Sequence, residues 1–208
     1  LIDQLQLPYT EVVCTLDHLN TYHKELWALP KIYSYSQQKQ PFLHVDGDVY
    51  IWKPFEPSLM EADLIAQNME AATEYYENIM SSLQKSLTFF PKEIIAEQEA
   101  NNPILAYNAG ILGGSDISFF KEYTTKAFEF VNKNIQNLSK INVTNFNIFF
   151  EQYLFYCLAK VKNQKINVYI SDIIGDNQYK CFGDFRKVPF EKHYLHLLGT
   201  YKKSEFTC

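Results

Sequence analysis

Asp46 and Asp48 stand one residue apart around Gly47, at the end of the apolar run Phe42-Leu43-His44-Val45. Two carboxylates this close repel each other, and a hard divalent cation with oxygen ligands removes that conflict. Such a pair at the mouth of a strand suits a cation that bridges the phosphates of a nucleotide. Alternate residues of a strand share a face, so a strand continued through 48 would present both carboxylates together. Gly47 would let the backbone turn closely beneath them. A polar turn between two strands uses the same residue types, and the pair alone does not separate the two readings.

A second constellation lies near the C-terminus, where His196, Gly199 and Lys202 are spaced as H-x-x-G-x-x-K. A neutral imidazole can complete the coordination of a cation already held by two aspartates. Gly199 can bring backbone close to a phosphate, and Lys202 offers it a point charge. His44, two residues before Asp46, is placed to hydrogen-bond that carboxylate from behind.

Asp46-Gly47-Asp48 resembles the Asp-x-Asp motif of GT-A glycosyltransferases. His196, Gly199 and Lys202 resemble the H-x-x-G-x-x-K motif of retaining glycosyltransferase family 8, the glycogenin-like and galactosyltransferase-like enzymes. That resemblance implies that Asp46, Asp48 and His196 bind Mn²⁺ or Mg²⁺ and that Lys202 contacts the diphosphate of a nucleotide sugar. A Pro-Trp pair commonly follows that Lys in the family; here Lys203-Ser204 follows. The run from Trp27 to Gly114 is similar to a little-characterised group of bacterial GT-A-like proteins. It carries Trp27-Ala-Leu-Pro-Lys31, Pro41 to Asp48, Ala66-Gln67-Asn68 and Asn108-Ala-Gly-Ile-Leu-Gly-Gly114.

Two more segments fit that resemblance. Asn108-Ala109-Gly110 resembles the N-x-G segment of family 8 that faces the donor sugar or acceptor, and an amide offers the donor and acceptor a sugar hydroxyl wants. The same stretch also reads as a glycine-punctuated strand running to a helix N-cap at Ser115 or Asp116. Glu151-Gln152 resembles the acidic-Gln pair at the reactive face of the donor sugar, with Glu151 in place of the usual Asp. Gln152 would then stabilise oxocarbenium charge while Glu151 holds a sugar hydroxyl. On an amphipathic helix the pair reads equally as a solvated face.

The elements that must position these groups alternate strand and helix. Helices are expected over Trp27–Tyr35, Glu70–Leu87, residues 117–136 and roughly 145–160, with a short turn at Ser58–Ala62. Strands are expected at Glu11–Cys14, from Phe42 into Trp52, and at Leu64–Ala66. Others fall in the Ile104–Leu112 region and at Ile166–Ile170 and Tyr194–Leu198. Gly175–Pro189 reads as a loop able to cover an acceptor site. The order argues for a layered α/β fold, with ligands at the carboxyl ends of the strands. The resemblance makes this a GT-A-like mixed sheet flanked by helices, a single domain over 1–208. GT-A enzymes place a βα nucleotide-binding unit before the Asp-x-Asp pair, and too little chain precedes Asp46 to supply it, so the expectation is an N-terminally incomplete sequence.

Composition bounds the function classes. Hydrophobic residues make up 47% of the 208 and charged residues 21%, as in an ordinary globular chain. A net charge of −5 argues against binding nucleic acid through a broad basic surface. No apolar run approaches the roughly 20 residues of a membrane helix. The four cysteines show no C-x-x-C spacing, which disfavours zinc and a disulfide framework and fits a cytoplasmic protein. The expected function is metal-dependent transfer of a sugar from a nucleotide-diphosphate donor, UDP favoured, to a glycan or small-molecule acceptor in bacterial glycan synthesis. The alternatives are a non-catalytic GT-A-like binding module and a nucleotidyltransferase.

Overall fold

A computed structural model describes residues 2–71, 73–176, 178 and 184–199. The chain opens with α1 (Ile2–Leu5) and a 3₁₀ turn, then forms α2 (Ala28–Ser36), β1 (Phe42–Val45), β2 (Val49–Ile51), α3 (Pro57–Met60), β3 (Leu64–Ala66) and β4 (Met69–Glu70). It continues with α4 (Thr73–Gln84), α5 (Lys92–Glu99), β5 (Ala106–Tyr107), β6 (Ile111–Gly114) and α6 (Ile117–Asn134). After a 3₁₀ segment come α7 (Val143–Ile148), a π-helical turn (Phe149–Tyr153), α8 (Leu154–Val161), β7 (Ile166–Val168) and β8 (Tyr194–His196). This is a mixed α/β protein.

The central sheet has the order β1-β6-β3-β7; β6 is antiparallel to both neighbours, and β3 runs parallel to β7. Two ribbons flank it, β2 with β8 and β4 with β5. Alternation along the strands sorts side chains to two cores. Leu64, Ala66 and Leu112 face a large aromatic-rich core built from α2, α4 to α8 and the π turn. Ile65 and Ile111 face the other way, onto a smaller core shared with Tyr194, Leu59 and Ile174, against which Val49 and Ile51 of the β2–β8 ribbon pack. The sheet is thus covered by helices on one face and by a ribbon on the other.

Much of the surplus of aromatic residues is in the helical core. Phe119, Phe120, Tyr123, Phe130, Phe146, Phe149, Phe150 and Phe155 are all fully buried. Many meet edge to face, as do Phe130 and Phe146 at 4.9 Å. Helix α6 begins where expected: of the two candidate caps, Asp116 accepts the hydrogen bond from the Phe119 N–H at 2.9 Å.

Several expected elements differ. Residues 11–14 form no strand and leave Val12 and Val13 exposed, because no strand lies beside them. Glu70 belongs to β4, so the following helix starts only at Thr73. The expected strand over Ile104–Leu112 is two strands, β5 and β6, because Asn108, Ala109 and Gly110 turn the chain between them. Helix α5 had no expectation. The run from Phe42 to Trp52 is not one strand either. β1 pairs with β6 and β2 with β8, so the chain changes partner at the Asp46–Asp48 turn. The two aspartates therefore sit at a turn rather than on one face of a strand.

Candidate metal centre

In the central sheet the carboxyl ends of β1 and β3 meet the start of antiparallel β6, and the end of β8 reaches them from the flanking ribbon. The turn after β1 carries Asp46 and Asp48. Its backbone is tied across to β6 by the Asp46 N–H donating to the Gly110 carbonyl at 2.9 Å and to β8 by the Leu197 N–H donating to the Asp48 carbonyl at 3.1 Å. These two bonds carry the turn from one sheet to the other. They also bring His196, at the end of β8, against residues far from it in sequence. Asp46, Asp48 and His196 each place a ligand atom within 4.8 Å of the others. The expected metal triad is therefore brought together.

The donor chemistry fits a small cation. Around an octahedral Mg²⁺ adjacent ligands lie roughly 3.0 Å apart and opposite ones roughly 4.2 Å, so the three groups would draw together to share an ion. Two carboxylates and an imidazole suit Mg²⁺, Mn²⁺ and their neighbours. His196 Nε2 lies 3.5 Å from Asp48 Oδ1, longer than an N–H···O hydrogen bond, with the imidazole 3% exposed.

A buried cation of the chain's own lies beside the triad. Lys31, on α2, places Nζ 2.6 Å from Asp46 Oδ1, 2.8 Å from Glu151 Oε1 and 2.9 Å from the Ala109 carbonyl. Burial would lower the Lys31 pKa, but the charges of Glu151 and Asp46 hold it above its ordinary value. For Asp46, burial works against ionisation, yet hydrogen bonding to His44 and the Lys31 charge keep its carboxyl below the usual range. His44 Nε2 is 2.9 Å from Asp46 Oδ1, in the supporting position its spacing suggested. Sequence reasoning gave Lys31 no role. A lysine on an amphipathic helix carries no signal for a partner beyond its own helix.

Glu151 is 1% exposed, so the Glu151-Gln152 pair is not a solvated helical face. Both residues lie in the π-helical turn, where the ladder loosens and side chains re-aim; such turns recur at functional sites. Burial pushes the Glu151 carboxyl up, and the Lys31 charge opposes this. Gln152 Oε1 lies 2.5 Å from the Tyr76 hydroxyl, which is also 2.6 Å from Glu70 Oε2. Burial raises the Glu70 pKa, and the hydrogen bonds from Asn108 and Tyr76 oppose this.

Asn108 faces inward. Its Nδ2 donates to Glu70 Oε1 at 2.7 Å and its Oδ1 accepts from the Gly110 N–H at 2.9 Å. Asn108, Ala109 and Gly110 thus brace Glu70, Lys31 and the β1 turn. Gly110 is demanded by packing, since a Cβ there would overlap Gln67 Oε1 and the His196 ring. Gly199 adopts a positive φ of 51°, a left-handed turn just beyond β8 that favours glycine. Gly47, by contrast, has open space around its Cα, and its turn does not require glycine. Lys202 lies outside the described residues.

Among the described residues, no helix is long and apolar enough to cross a membrane. Cys14 and Cys157 are free thiols. Residues 1–208 match a family of unknown function, DUF6734. No curated protein and no solved structure matches the chain.

Proposed function

The chain belongs to that family of unknown function, and we propose that it is a metal-dependent glycosyltransferase of GT-A-like fold using a nucleotide-diphosphate sugar as donor. One observation carries the reading: the convergence of Asp46, Asp48 and His196, whose ligand atoms lie within 4.8 Å of one another at the carboxyl edge of the sheet. The Asp-x-Asp and H-x-x-G resemblances give that cluster its expected substrate.

Asp46, Asp48 and His196 would hold Mn²⁺ or Mg²⁺, which when bound supplies Lewis-acid charge to a departing diphosphate. The chain's own groups do the rest. Lys31 fixes Asp46 and Glu151 in one frame at the floor of the site, its charge offset by theirs. Glu151 and Gln152 face that floor from the π turn, as acceptor and amide groups for sugar hydroxyls. Lys202, three residues beyond Gly199, would add charge at the phosphates, and Asn108 braces the wall opposite.

Titration of UDP into the protein with and without Mn²⁺, followed by calorimetry, tests this. Binding that depends on the metal is expected, and no binding of UDP, GDP or CDP with Mn²⁺ present would reject it. A second reading, a nucleotide-sugar-binding module without turnover, is favoured by the internal engagement of Glu151 with Lys31 and of Gln152 with Tyr76. Mn²⁺-dependent hydrolysis of the donor sugar separates the two. Release of pyrophosphate in place of a nucleoside diphosphate would instead identify a nucleotidyltransferase.

A further inference from the structure

We propose that the Gln67–Asn68 pair is a relay of amide orientations that fixes His196 as the Nδ1–H tautomer and leaves Nε2 as a bare lone pair toward Asp48. This rests on the reading of Asp46, Asp48 and His196 as a cation site, and it makes Gln67 and Asn68 positioning residues.

A backbone carbonyl is an acceptor that cannot be reversed. The Met69 carbonyl accepts from Asn68 Nδ2 at 3.0 Å. That contact sets which end of the Asn68 amide is nitrogen, so Oδ1 is the end turned to Gln67. Gln67 Nε2 donates to this Oδ1 at 3.0 Å. The Gln67 amide is thereby set as well, with Oε1 pointing the other way. Oε1 receives two groups, the Tyr194 hydroxyl and His196 Nδ1, the latter at 2.8 Å. An amide oxygen only accepts, so Nδ1 carries the proton. A neutral imidazole has one ring proton, and Nε2 is then unprotonated.

Reversal of any one amide would undo this. A flipped Gln67 would present N–H to His196, select the Nε2–H tautomer and place a proton where a cation must bind. Burial makes that reversal costly: Gln67 and Asn68 are each 0% exposed and His196 3%, so no water is at hand to repair mismatched partners. The absent side chain of Gly110 provides the room in which the amide and the ring meet. Tyr194, paired with Ile51 on the β2–β8 ribbon, holds the same oxygen from the far side. The relay also accounts for the position of Gln67-Asn68 directly after β3, where the chain leaves the sheet edge beneath β8.

The test is ¹⁵N spectroscopy of the imidazoles in the chelator-treated full chain at about pH 9, where a histidine ring is neutral, with His196 assigned by loss of its signals in His196→Ala. Wild-type protein should show a pyrrole-type Nδ1 and a pyridine-type Nε2. Gln67→Leu should lose this pattern and weaken Mn²⁺ binding roughly 10- to 100-fold, the usual scale for an outer partner of a metal ligand. Asn68→Leu, which frees the Gln67 amide to turn, should also mix the tautomers. Thermal melts identify variants that have unfolded, and Asn68→Leu serves where Gln67→Leu does not fold. A protonated Nε2 in the metal-free wild type, or an unchanged pattern in folded Gln67→Leu or Asn68→Leu, overturns the relay. Failure of the cation reading is seen separately, as wild-type protein that does not bind Mn²⁺ whatever its tautomer.

Discussion

Lys31 Nζ lies 2.8 Å from Glu151 Oε1, so a helix that precedes the Asp-x-Asp turn is joined to the π-helical turn on the far side of the site. The same ammonium reaches Asp46 at 2.6 Å. One buried cation therefore sets the distance between the Asp46–Asp48 turn and the segment expected to face a donor sugar. A buried charge on each side leaves neither partner tolerable alone.

Lys31→Met should accordingly destabilise the protein by about 3 kcal/mol or more, the scale for removing one partner of a buried pair. The double variant Lys31→Met/Glu151→Gln should recover part of that loss, because it leaves no uncompensated carboxylate at 151. Urea unfolding of the two single variants and the double variant checks this. Additive losses would show that the two groups do not act as a pair.

Asp48→Asn and His196→Ala should each abolish detectable Mn²⁺ binding while the unfolding transition remains cooperative. Calorimetric titration of the metal, with far-UV circular dichroism as the control for folding, measures both. Unchanged affinity in either variant would remove that residue from the site.

The two glycines of the site should respond in opposite ways. Gly110→Ala drives a methyl group into Gln67 and His196, so it should weaken Mn²⁺ binding and lower the melting temperature. Gly47→Ala meets nothing within 4 Å and should change stability by no more than about 0.5 kcal/mol. Parallel melts and titrations of the two variants suffice.

Asp116 provides a pH-dependent test away from the candidate metal site. Burial works against its ionisation, but bonds from Ser118, the Phe119 N–H and Gln164 hold its pKa below the ordinary value. A depressed carboxylate stabilises the fold fully above its unfolded pKa, near 3.9, and the contribution is lost as pH falls through the folded value. Asp116→Ala should therefore cost about 1 kcal/mol at pH 7, with the gap from wild type closing as the pH drops below about 4. Asn at 116 should retain most of the cap. Denaturant midpoints across pH report both.

Local chemistry decided what the sequence could disclose. An apolar run ending in Asp-Gly-Asp, and a histidine near the C-terminus with glycine three residues on, announced the three residues that the fold brings together as a candidate cation site. Helical spacing located α2, α6 and the run from α7 to α8, and the turn residues before Ile117 announced its cap. These signals are short in range, and periodicity or residue type carries them. Other features depend on strand pairing, which periodicity does not record. The chain changes sheet at the Asp46–Asp48 turn, so its strand is two strands. Glu70 joins a ribbon instead of a helix, and Asn108 turns inward to hold it. Lys31 acquires its meaning only when α2 packs beneath the turn, and Gln67 only when β8 brings His196 over it. Which donor meets which acceptor in the interior is set by long-range packing, because each buried polar group must find its partner among whatever the fold places beside it.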